Sequence, residues 1–155
     1  MGHLVCRLRA KSRYQPFYSR YDLIPIINKE TFQKDIENLV KIGVLTHVQQ
    51  SQYGTAIFII PKKGGNVRLI TDYHRLNHKL VRNPYPLPRI DETMQQLGGF
   101  QYVTSLDINM GYYNIRIFTA SQDMTMIVTV FGNFRYNLLP MVMCNSGDIF
   151  QAKLD

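Results

Sequence analysis

Acidic side chains are scarce in this sequence: 11 Asp and Glu stand against 18 Lys and Arg, a formal net charge of +7. A surplus of that sign favours an anionic partner such as nucleic acid. A basic but inert surface is the alternative that charge alone leaves open. Cysteine is nearly absent. Cys6 and Cys144 lie far apart with no CxxC and no paired histidines, which excludes a disulfide framework and a cysteine zinc site and fits a reducing, intracellular compartment. Long apolar runs are missing too, and the N-terminus lacks the apolar core and cleavage site of a signal peptide, so the chain reads as soluble with no membrane partner. Met1-Gly2 begins like a myristoylation signal, but Cys6 stands where Ser or Thr is required. There is no internal repeat, low-complexity tract or linker.

What remains is a 155-residue chain, 45% apolar, enough for one hydrophobic core. Residues 1–21 carry Arg7, Arg9, Lys11, Arg13 and Arg20 without an acidic residue, interleaved with Tyr14, Phe17 and Tyr18. Basic and aromatic side chains together suit a nucleic-acid strand; the competing expectation is a solvated, poorly ordered extension ahead of a domain at 22–155. Leu23 to Ile27, broken by Pro25, reads as an edge strand or extended lead-in. A helix is expected after Asn28, with Phe32, Ile36, Leu39 and Val40 on one face and Gly43 as its stop. Leu45 to Gln49 and Thr55 to Ile60 are strand candidates, the second apolar on both faces and therefore central or well covered.

Pro61 to Asn66 is a turn leading into a strand from Val67 to Tyr73, which places Arg68, Ile70 and Asp72 on one face. Lys62 and Lys63 at the tip, with Arg68 behind, form either a basic finger able to reach a phosphate chain or an ordinary solvated hairpin. Asn83 to Pro88 is extended by its prolines. A helix from Pro88 is expected to bury Ile90, Met94 and Leu97 before Gly98-Gly99 ends it. Met124 to Val130 and Phe134 to Leu138 read as a hairpin, and Asp148 to Leu154 as a helix.

Between these elements lies SLDINMGYYNIRI, Ser105 to Ile117. Tyr102, Thr104, Leu106 and Ile108 alternate with Val103, Ser105 and Asp107, the period of a strand. Asn109-Met110-Gly111 breaks the pattern, so Asp107 is expected near the strand's end beside a turn rich in backbone N–H groups. A carboxylate so placed suits a divalent cation with a phosphate alongside. Taken by itself it equally suits a turn former or cap.

The order and spacing of several segments resemble the front part of a reverse transcriptase of gypsy-type LTR retrotransposons. These are DIENLVKIGVL (35–45), the Ser51–Gly54 segment, FIIPKKGGNVRLITDYHRLN (58–77), NPYPLPRIDE (83–92), SLDINMGYYNIRI, FGNFRYNLLP (131–140) and SGDIFQ (146–151). The resemblance implies an α+β fold: a partial right-hand polymerase with an antiparallel palm sheet, backing helices and a fingers β-hairpin. It implies Asp107 as the first catalytic, metal-binding carboxylate and Ile108 as a neighbour whose carbonyl faces Mg²⁺ (or Mn²⁺). Lys62 or Lys63, with Arg68, would hold the β and γ phosphates of a deoxynucleoside triphosphate. Met110 and Gly111 would offer N–H groups to it, and Tyr112 would act as the aromatic gate against a ribose 2′-OH. Asn77, with Asp72, belongs to the motif beneath the hairpin, and Asn77 and Gln151 would lie near the template. The implied partners are an RNA or DNA template with primer and, in a complete element, the remaining palm, thumb and ribonuclease H parts of one polyprotein, in a cytoplasmic particle or the nucleus.

Departures accompany the matches. The family's other two catalytic aspartates form an adjacent pair, and no adjacent aspartates occur here. The chain is therefore expected to stop ahead of that hairpin and to be inactive alone; a noncatalytic nucleic-acid-binding module and an inert retroelement remnant are the alternatives. His74 replaces a usual Arg, Val142 a usual Gly and Gly147 a usual Pro. A β-branched residue at 142 would fill space or forbid a positive φ.

Overall fold

Pro25 opens the first helix, α1 (Ile26–Lys41), with φ −53° and ψ 137°, a ring-fixed φ suited to a helix entrance. Glycine closes it: Gly43, at φ +80°, lets its own N–H reach Val40 O (3.0 Å) while Val44 N–H reaches Leu39 O (2.9 Å), the paired bonds of a Schellman stop. Phe32 and Ile36 are buried beneath it. In this computed structural model, residues 4–11, 15–62, 67–99 and 101–154 are described.

The chain then lays down β2 (Leu45–Val48), β3 (Thr55–Pro61), β4 (Val67–Thr71), β6 (Ile127–Thr129) and β7 (Gly132–Tyr136) as one five-stranded sheet, order β2-β7-β6-β3-β4. Three of its pairings are antiparallel; β3 and β6 run parallel, Thr55 opposite Ile127. The expected α+β class stands, and the sheet is mixed. β3 is interior as expected, yet only one of its faces is covered, since Ile57 is buried while Phe58 and Ile60 are exposed. In β4, Val67, Thr71 and the following Tyr73 turn inward and Arg68 and Asp72 outward, the alternation a strand imposes. Phe32 of α1 meets Phe131 of the β6–β7 turn at 5.6 Å between ring centroids.

The remaining helices are α2 (His74–Lys79), α3 (Ile90–Gln96), α4 (Thr119–Gln122) and α5 (Ser146–Leu154). Four readings need correction. Residues 4–11 are not a loose extension: β1 (Leu4–Cys6) pairs in parallel with β5 (Ile115–Ile117), and Cys6 and Leu8 join the core. Burial pushes the Cys6 thiol up to about 11, so it packs as an apolar group. Of the two readings of Leu23–Ile27 the edge strand is the wrong one: Leu23–Pro25 forms no strand and leads into the helix that begins at Ile26. The α3 stripe is not buried: Ile90 is 79% exposed, with Met94 and Leu97 also exposed. Residues 102–108 have no ladder partner among the described residues, so their alternation leaves Leu106 88% exposed and yields no strand. Periodicity specifies a face, and a partner must exist to cover it.

Candidate active site

The β3–β4 hairpin is held in register from Ile57↔Thr71 to Pro61↔Val67, which presents Lys62 and Arg68 on the same side of its base. Opposite them the chain leaves residues 102–108 through Met110, at φ 50° and ψ 39° the sole non-glycine positive φ among the described residues. A left-handed residue reverses the chain sharply, at a strain of about 1–2 kcal/mol. The following turn, Gly111–Asn114, is tied back to it by Tyr113 N–H to Met110 O (2.8 Å) and by Asn114 Nδ2 to Met110 O and Gly111 O (3.4 and 3.3 Å). Gly111 has no room for a side chain, since a Cβ would stand 2.8 Å from Phe150 Cζ.

Lys62, Arg68 and Met110 line one open cleft of about 550 Å³, together with Asp35 of α1, Tyr113, Met141 and Val142 among others. Lys63 lies outside the described residues. Asp107, three residues before Met110, is exposed; neither it nor Ile108 is part of the cleft wall. Tyr112 packs on Phe150 of α5, ring centroids 4.9 Å apart, and it is Tyr113 that faces the cleft. Gln151 is half-buried in α5, away from that wall.

Asn77 acts as a bracket. Its Oδ1 accepts from Cys144 N–H (2.9 Å) and its Nδ2 donates to Val142 O (3.2 Å), pinning the loop that forms one wall. Ser146 Oγ donates to Pro140 O (2.5 Å) and Asn145 Nδ2 to Val81 O (2.9 Å), completing the hold. Asp72 accepts from His74 N–H at 3.1 Å, an Asx turn that starts α2. Arg75, next to His74, lies over the Phe17 ring at 4.5 Å. Val142 has no positive φ; its side chain fills cleft space.

Sequence reasoning missed several participants. Asp35 faces the cleft: partial burial pushes its carboxyl up, and Lys62 opposes the shift. Met141 and Tyr113 also line the wall. Asp148, read only as a helix start, accepts from Arg82 Nε (3.0 Å) and Tyr85 N–H (3.1 Å), and the Arg82 guanidinium, then the Tyr85 amide, hold its carboxyl below the usual range. An Asp at the first turn of a helix is a visible signal; the distant arginine is not.

Residues 60–155 match the family described as reverse transcriptase (RNA-dependent DNA polymerase). The chain belongs to that family. The retrovirus-related Pol polyprotein from transposon 412 of Drosophila melanogaster is 31% identical over 146 residues, covering 90% of this chain and 12% of that protein. The corresponding polyprotein from transposon gypsy is 28% identical over 147 residues, covering 91% and 14%. This reverse transcriptase segment thus spans about an eighth of the length of those relatives. Its fold is that of the foamy viral protease-reverse transcriptase solved in complex with an RNA/DNA hybrid, with a TM-score of 0.78, 22% identity, and coverage of 94% of this chain and 19% of that one. Among the described residues no helix is long and apolar enough to cross a membrane.

Proposed function

We propose that the chain forms the fingers and upper palm of an RNA-directed DNA polymerase and binds the triphosphate of a deoxynucleotide in the cleft between hairpin and turn. The observation that carries this reading is the meeting of Lys62 and Arg68 with Met110 on one wall system. Two cations on a hairpin base can neutralise the outer phosphates. In this reading Met110, on the wall, and Gly111 next to it offer N–H groups to the same oxygens, and Tyr112, whose ring packs on Phe150 outside the wall, is the sugar-side gate only once it turns from Phe150 toward the cleft. Asp35 lines the same cleft, and the charge of Lys62 draws its carboxyl down against the upward push of burial. Asn77, through the Val142–Cys144 loop, positions the far wall, with Gln151 toward the template. The partners in this reading are a primed RNA or DNA template and the rest of the palm, thumb and ribonuclease H of a longer polyprotein, inside the cell.

Asp107 and the Ile108 carbonyl would hold Mg²⁺ (or Mn²⁺), which when bound supplies charge stabilisation and activation of a primer hydroxyl. Oxygen donors and an exposed carboxylate fit such an ion. Among the described residues there is no group of three potential metal-ligating side chains, and adjacent aspartates are absent from the sequence. The fit therefore extends to a single ion at Asp107, which stands outside the cleft wall, and not to two-ion catalysis by this chain alone. Incubated with a primed RNA template, deoxynucleotides and Mg²⁺, the chain is expected to give no extension. It is expected to bind the primed template with a steep salt dependence, and Arg68→Ala should weaken binding of the deoxynucleoside triphosphate to the chain while leaving the salt slope of template binding unchanged. Extension abolished by Asp107→Asn would overturn the inactivity, and triphosphate binding untouched by Arg68→Ala would overturn the cleft's role.

A further inference from the structure

Outside that cleft, α2 presents a pair of ring nitrogens that, among the described residues, are hydrogen-bonded only to each other. His74 and His78 stand one turn apart on its exposed face, with Nε2 to Nε2 at 3.2 Å and ring planes at 86°. We propose that this pair is a two-point site for a borderline divalent transition-metal ion of the Zn²⁺ class. With imidazole–zinc bonds of about 2.0–2.1 Å, a nitrogen separation of 3.2 Å corresponds to an N–metal–N angle of roughly 100–106°, close to the tetrahedral requirement. Imidazole suits Zn²⁺, whereas Mg²⁺ prefers oxygen, so this site and Asp107 select different ions. The scaffold is already fixed: Leu76 is fully buried, the Asx turn at Asp72 sets the helix start, and Lys11 reaches the far end through Lys79 O (2.8 Å, from its N–H) and His78 O (3.1 Å, from its Nζ). Of the neighbouring cations, Arg75 is turned onto Phe17, which leaves the imidazole edges open to water as the remaining ligands. In the free pair one ring donates its Nε2 proton to the other. On binding, that proton moves to Nδ1, so both rings become Nδ1–H tautomers and no net proton is released.

The test titrates the full 155-residue chain with Zn²⁺ alone. The expected result is one ion per chain, with the Nε2 resonances of two histidines shifting together in ¹⁵N-detected long-range spectra. His74→Gln and His78→Gln should each weaken binding by at least about tenfold, the scale of losing even an outer partner of a metal ligand. Cys144→Ala and Asp107→Asn should leave it unchanged. If either histidine substitution is without effect, or if Cys144→Ala removes the site, the proposal is overturned. The resonance shifts decide the matter on the unaltered chain should a variant fail to fold.

Discussion

The sheet with its α1 cover and the stretch from Leu87 to Ile108 were equally rich in periodic apolar residues, yet only the first is packed. In the sheet, Phe32, Ile36, Ile57 and Ile127 are all buried. In the second stretch, Leu87, Ile90, Met94, Leu97, Tyr102, Val103, Leu106 and Ile108 are all exposed. The lesson is that a hydrophobic period records which side of an element is adapted to burial, while burial itself is a property of two surfaces.

The largest effect that sharpens this contrast is expected at Leu76, fully buried under α2. Leu76→Ala should destabilise the chain by about 2–5 kcal/mol in urea denaturation. An intermediate effect is expected at Asp148, whose residue is 4% exposed but whose ion pair with the 61%-exposed Arg82 lies in the outermost layer and is screened by water. Asp148→Asn should lower the urea midpoint less than Leu76→Ala does. The sign of its pH dependence follows from the depressed carboxyl. The contribution is complete above the ordinary value of 3.8 and is lost as pH falls below it through the folded-state value, so the gap between parent and variant should close in acid. The smallest effect belongs to α3: Ile90→Ser and Leu97→Ser should each change stability by less than about 0.5 kcal/mol. A loss at Ile90 rivalling that at Leu76 would break the comparison and mean that α3 is covered in solution.

Local signals explain what could be read in advance. The Gly43 stop, the β3–β4 alternation and the turn before β7 each depend on neighbours within a few residues; α5 was expected from Asp148 and begins two residues earlier, at Ser146. α2 escaped notice because the six residues HRLNHK are too few to display a period, and β1 because three residues gain their meaning from β5, far along the chain. The candidate site shows the same division. Lys62, Arg68 and Met110 were expected from the family resemblance, and they do share one cleft. Asp35, Tyr113 and Met141 reach the cleft from separate elements, and only tertiary packing brings them there. Tyr112 and Tyr113 are adjacent in sequence, so spacing could not assign which ring meets Phe150 and which meets the cleft.

The parallel pairing of β1 with β5 also has a temporal side. Leu8 N–H and Ser121 Oγ, 113 residues apart, form one of its flanking bonds at 3.2 Å. At about 5–20 residues per second, a ribosome needs on the order of ten seconds to deliver the second partner after the first. Throughout that interval Leu4, Val5 and Leu8 wait without their partner strand, which makes this segment a natural client for a nascent-chain chaperone.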